Sequence, residues 1–141
     1  MKNVLITGGS GLIGTRLSQL LIEKGYKVSH LSRSNSKKNG IEVYQWNIEK
    51  GIIEEGAIDT ADYIVHLAGA GVADKRWTDK RKKEIIDSRI DTANLLYEYL
   101  QKTPNQVKAF IGSSGISYYG DSGKEIKTET ASKGIGFLSD V

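Results

Sequence analysis

Apolar and polar positions along the 141 residues switch repeatedly between two periods. Short apolar-rich runs at 3–7 (NVLIT), 27–33 (KVSHLSR), 41–46 (IEVYQW), 62–69 (DYIVHLAG) and 107–114 (VKAFIGSS) predict five strands. Between them the period lengthens. Leu12, Ile13, Arg16, Leu17, Leu20 and Leu21 fall at helical spacing, and the pattern stops at Gly25, where glycine suits a left-handed helix cap. The longest helical pattern runs from Thr78 to about Gln101, with Ile86, Ile90, Ala93, Tyr97 and Leu100 on one stripe and Pro104 beyond its end. A polar segment after strand two reads as a surface loop, residues 52–59 (IIEEGAID) as holding one helical turn, and residues 136–141 (GFLSDV) as a helix start. Strand and helix in alternation predict βαβ units, and so a doubly wound parallel α/β sheet in three layers, α/β/α. One domain spans 1–141.

Composition narrows the function classes. With 38% hydrophobic and 26% charged residues and no apolar run near ~18 residues, no membrane partner is expected. Zero cysteines exclude disulfides and thiolate metal sites, and His30 and His66 lack the spacing of a zinc motif, so no metal is expected. The net charge of +3 is mild, and Lys80-Arg81-Lys82-Lys83 reads as a solvated helix face, which sets nucleic acid aside. A strand-like run follows Met1, Lys2 and Asn3 directly, leaving no room for an export leader, so the expected compartment is the cytosol.

The chemistry is concentrated in "ITGGSGLIGTRL" at 6–17, where a glycine turn joins strand one to helix one. A helix amino terminus presents unpaired N–H groups and partial positive charge, which suits a pyrophosphate. Gly8 serves the tight turn, Gly11 the close approach of backbone to phosphate, and Gly14 the close packing of the helix; Ser10, Leu12 and Ile13 complete the candidate contact set. The expected cofactor is a dinucleotide held in a Rossmann-type unit. At the end of strand two stand Arg33 and Ser34, where an NAD-specific unit carries an acidic residue for the ribose hydroxyls. A guanidinium fork favours the 2′-phosphate, hence NADP over NAD, the alternative being a surface arginine at a strand end. Asn47 after strand three is either an adenine contact or a plain turn asparagine. Leu67, Ala68 and Gly69 close strand four beside the expected cofactor ribose, and His66 reads as packed rather than catalytic.

Thr7 before Gly8-x-x-Gly11-x-x-Gly14, with "HLAG" at 66–69, resembles the extended short-chain dehydrogenase/reductase superfamily. Residues 66–96 and 113–123 look closely like its atypical branch labelled nucleoside-diphosphate-sugar epimerase family protein. The resemblance implies the amino-terminal part of an architecture about twice this length, the later half supplying further strands and a substrate-binding portion. It also implies NADP, a small-molecule substrate, and at the place of Asn47 an aspartate in many relatives.

Active relatives are expected to use Tyr-x-x-x-Lys, the tyrosine transferring a proton and the lysine lowering its pKa. Four positions after the seven tyrosines stand His30, Ile48, Leu67, Gln101, Thr103, Ser122 and Gly123, none a lysine. Phe137 to Val141 occupy the place where the resemblance puts that pair. Ser113 and Ser114 end strand five, Gly115 falls nearest the usual catalytic serine, and Ser88 stands where relatives carry an asparagine. Arg76 and Trp77 either guard a substrate mouth or cap the following helix, and the catalytic residues stay unassigned. Two functions follow: the NADP(H)-binding domain of an epimerase/reductase-like protein, or a non-catalytic NADP-binding module that senses redox state or meets a partner.

Overall fold

The computed structural model describes residues 1–34 and 40–141; part of the loop expected after strand two lies outside the described residues. Six strands form one sheet: β1 (Asn3–Thr7), β2 (Lys27–Ser32), β3 (Glu42–Asn47), β4 (Ile52–Ile53), β5 (Tyr63–His66) and β6 (Ala109–Gly112). Their order is β4-β3-β2-β1-β5-β6, and all neighbouring pairs are parallel except β3 and β4. The chain steps outward from β1 through β2 to β3, then returns to lay β5 on the other side of β1. That reversal opens a crevice beyond the carboxyl ends of β1 and β5, where doubly wound sheets take their ligands.

Helix α1 (Leu12–Glu23) and helix α2 (Asp79–Lys102) supply the outer layers, and α3 (Phe137–Asp140) is a single turn near the carboxyl end. All five residues of β1 are buried, as a central parallel strand requires. Val4 and Ile6 join Val28, Leu17 and Leu21 on the α1 side, while Leu5 joins Leu31, Ile64, Leu95 and Leu96 on the α2 side. Helix α1 ends as its sequence predicts: Gly25 has φ +82°, its N–H meets the Ile22 carbonyl at 2.9 Å, and the Tyr26 N–H meets that of Leu21 at 3.0 Å. Among the described residues no helix is long and apolar enough to cross a membrane.

Three expectations change. Residues 52–59 begin as a strand and form no helix: Ile52 and Ile53 pair antiparallel with Asn47 and Trp46, the Gln45 N–H is held by the Glu54 carboxylate at 2.6 Å, and only a turn closed by the Ala57 N–H on the Glu54 carbonyl at 3.3 Å follows. Burial of Ile53 beside Trp46 outweighs the helical reading of so short a run. The buried face of α2 is not the Ile86, Ile90, Ala93, Tyr97, Leu100 stripe, since Ile90 and Tyr97 are exposed; it carries Arg81, Ile85, Thr92, Leu95 and Leu96. On α1 the buried positions are the small Gly14 and Ser18, whereas Leu12 and Ile13 face outward.

Candidate functional site

The glycine turn leaves β1 at Thr7 and enters α1 at Gly11. Gly8 has φ +69°, and a Cβ there would stand 2.9 Å from the Leu67 carbonyl carbon, so both conformation and space require glycine. Gly14 approaches the turn itself: a Cβ would lie 2.5 Å from the Gly8 oxygen and 2.7 Å from the Gly9 Cα. Gly11 is different, because its φ of −74° suits any residue and its Cβ would meet only the Gly8 oxygen, at 3.3 Å. As N-cap it offers no side chain to the helix, no acidic residue stands in the first turn, and the backbone ladder starts with Thr15 N–H on the Gly11 carbonyl at 2.9 Å. The N–H groups of Leu12, Ile13 and Gly14 precede that ladder at the positive end of the helix. Ser10, Gly11, Leu12 and Ile13 are all exposed, Leu12 to 92%. A glycine-rich, solvent-facing turn at a switch point fits the diphosphate of a dinucleotide.

Across the crevice a chain of hydroxyls orders the β5 exit. The buried Thr7 Oγ1 accepts the N–H groups of Leu67 and Ala68, both at 3.1 Å, and lies 2.7 Å from His66 Nδ1. Two acceptances fill its lone pairs, so its own proton goes to Nδ1. His66 is then neutral with its proton on Nε2, directed at Thr92 Oγ1 at 3.3 Å, which itself donates to the Ser88 carbonyl at 2.6 Å. Burial pushes the His66 pKa below the ordinary histidine value. His66 is packed, as its sequence context predicts, but also oriented by partners on β1 and α2 that sequence proximity does not reveal.

Ser88 Oγ accepts the Ala70 N–H at 2.9 Å and donates to the Ile85 carbonyl at 2.9 Å, tying the segment after β5 to α2. Arg89 donates to the Ala70 carbonyl at 3.1 Å, and its guanidinium lies against Gly69, where a Cβ would be 3.2 Å from Cζ. The buried Arg81 donates to the Gly71 carbonyl at 2.6 Å and pairs with Glu84 at 2.8 Å. Sequence reasoning missed Arg81 and Arg89, since charge on a helix reads as solvated surface; Gly69, which lies against the Arg89 guanidinium, was the available signal.

At the carboxyl ends of β2 and β3, Arg33 and Ser34 are exposed, and Gln45 donates to the Arg33 carbonyl at 3.2 Å. Asn47 Oδ1 accepts the Lys50 N–H at 2.9 Å, the behaviour of a turn asparagine. Helix α2 is capped by Thr78, whose hydroxyl accepts the Arg81 N–H at 3.2 Å, so capping does not fall to Arg76 or Trp77. Trp77 donates to the Val72 carbonyl at 2.7 Å and meets the Phe137 ring edge-on at 5.0 Å. Ser113 and Ser114 are exposed beyond β6. A hollow of about 740 Å³ lined by residues between Tyr119 and Ile135 lies outside the glycine turn.

Known proteins share this fold over nearly the whole chain. The human epimerase family protein SDR39U1, solved with NADPH, superposes with a TM-score of 0.82 at 32% identity over 98% of this chain and 45% of that one. A nucleoside-diphosphate sugar epimerase from Corynebacterium glutamicum gives a TM-score of 0.78 at 32% identity, covering 99% of this chain and 28% of that one. MoeE5, solved with UDP-glucose and NAD, is 20% identical with a TM-score of 0.74, a likeness that shows the fold alone. Among curated relatives, YfhF of Bacillus subtilis is 31% identical over 140 residues, 97% of this chain and 46% of its own length. Human SDR39U1 is 35% identical over 118 residues, 82% of this chain and 38% of its own length. The chain therefore spans less than half the length of these relatives. The sequence profile of the NAD dependent epimerase/dehydratase family matches residues 4–135, across both the glycine turn and the β5 exit, and the chain belongs to that family.

Proposed function

We propose that the chain is the NADP(H)-binding part of an atypical epimerase/reductase-like protein. The observation that carries this reading is the opening of α1 at Gly11, exposed and without a capping side chain, at the switch point of the sheet. The backbone of Gly8 to Gly14 would hold the diphosphate, Arg33 and Ser34 the adenosine 2′-phosphate, and Leu67 to Gly69 the ribose on the β5 side. When bound, the dinucleotide supplies hydride transfer. The chain's own residues fix its position: Thr7 and His66 set the backbone at Leu67 and Ala68, while Ser88 and Arg89 hold the following segment on α2. The NADPH-bound human relative supports the phosphorylated cofactor, and the Corynebacterium relative supports a nucleoside-diphosphate sugar as the class of substrate for the longer architecture.

A second reading, binding without catalysis, is favoured by one observation: no tyrosine in the 141 residues is followed four positions later by lysine. Fluorescence titration tests the shared core of both. NADPH should bind at least about tenfold more tightly than NADH, a difference of about 1.4 kcal/mol. Equal affinities would remove NADP preference, and binding of neither would remove the cofactor site.

A further inference from the structure

The glycine turn rests on a residue that no motif predicts. From the middle of β2, His30 reaches under the turn: a Cβ placed on Gly9 would overlap its imidazole. Its Nε2 lies 2.8 Å from Ser18 Oγ, and Ser18, buried on α1, lies 2.7 Å from the Gly14 carbonyl. The Ser18 proton goes to that carbonyl, so its lone pair accepts the His30 Nε2–H. One imidazole thus braces both the floor of the turn and the first turn of the helix.

We propose that His30 is the positioning residue of the glycine turn and that a dinucleotide diphosphate seated there is coupled to it, so that binding is accompanied by proton uptake on its imidazole. The inference rests on the cofactor reading above and adds a proton to it. Protonation adds a hydrogen at Nδ1 and leaves the Nε2–H to Ser18 bond in place, so the charged ring keeps the same geometry. In the free protein that charge is opposed by burial, which lowers the His30 pKa from its ordinary value. Among the described residues, those set beside His30 carry no charge: Ile6 and Val43 are its register partners on the flanking strands, Gly9 lies over the ring and Ser18 bonds to it from α1. The charged side chains of α1, Arg16 and Glu23, belong to exposed residues, while Lys27 and Glu42 pair with each other at 2.8 Å. A diphosphate on the turn therefore brings the first opposite charge to His30 and favours its imidazolium. By reciprocity, lowering the pH through the histidine range must then tighten binding.

The test is a proton NMR titration of the two imidazoles with and without saturating NADP⁺, His30→Gln assigning the signals. The His30 pKa should rise by about half a unit or more on binding; an unchanged or lowered value would overturn the proposal. His30→Gln keeps an N–H for Ser18 but cannot take up the proton. Between about pH 8 and about pH 5.5, wild-type affinity should gain about threefold more than that of the variant. The cofactor's own 2′-phosphate, titrating near pH ~6, contributes equally to both, and parallel pH profiles would overturn the coupling. Failure of the wild-type chain to bind NADP⁺ or NAD⁺ would sink the cofactor reading together with this one, whereas binding with an unmoved His30 pKa sinks this one alone.

Discussion

Gly11 and Gly14 carry different tasks in the sequence reading, and a Cβ meets different surroundings at each. At Gly11 it would touch one carbonyl oxygen at 3.3 Å, which a small shift relieves. At Gly14 it would enter the backbone of Gly8 and Gly9. Gly11→Val should therefore leave a folded chain that binds neither cofactor, because the added carbons stand in the path of the phosphates. Gly14→Val should lose about 1–3 kcal/mol of stability or more through overpacking, in addition to binding. Urea denaturation beside cofactor titration separates the two; a Gly11→Val chain that still binds NADPH would remove the phosphate cradle. Arg33 is tested by charge. Because an acidic side chain repels a 2′-phosphate and accepts from ribose hydroxyls, Arg33→Asp should invert or abolish the NADPH preference over NADH. An unaltered ratio would return Arg33 to the status of a surface residue at a strand end.

Helix α2 shows how far sequence reading reaches at the scale of an element. Its limits were legible within one residue, because Thr78 and Pro104 punctuate it, but its buried face was not. Ser88 and Thr92 take inward positions through hydrogen bonds to Ala70 and His66, and an inward hydroxyl is invisible to an apolar periodicity. The β3–β4 pairing escaped for a related reason: two isoleucines are too short a run to show a period. The glycine turn between β1 and α1 could be read from spacing alone, whereas the partners of His30 and His66 come from residues 12 to 59 positions away, brought close only by the sheet. Thr92→Val keeps shape but leaves the His66 Nε2–H without its acceptor, and should cost about 1–2 kcal/mol. Both histidines have folded-state pKa values lowered by burial from 6.5, so the unfolded chain takes protons first. Their contribution is complete above about pH 6.5 and is lost progressively below it. Denaturation midpoints that stay level from about pH 7.5 to about pH 5.5 would contradict neutral, half-buried imidazoles.

Across the whole molecule the strand order makes the crevice, and the two sides of β1 close it unequally. Toward β2 and β3 the sheet is covered, with Leu31, Tyr44 and Trp46 buried. Toward β6 it is open: all four residues of that strand are exposed, Phe110 to 42% and Ile111 to 48%. A dinucleotide on the glycine turn would keep its adenine half on the covered side and its nicotinamide half on the side that water reaches. Hydride and proton transfer need the opposite, a site from which water is excluded and in which a proton donor is held near the reacting carbon. Neither Phe137 nor Val141 can donate a proton, and no tyrosine among the 141 residues is followed four positions later by a lysine. On the cofactor reading proposed above, we propose that these 141 residues taken by themselves bind NADPH without turning over a nucleotide sugar or other carbonyl compound at an enzymatic rate. Incubation with a substrate panel, following NADPH absorbance and analysing products by mass spectrometry for epimerisation without net redox change, tests this expectation. Substrate-dependent turnover near ~1 per second would overturn it and send the search for a proton donor to the hydroxyls beyond β6.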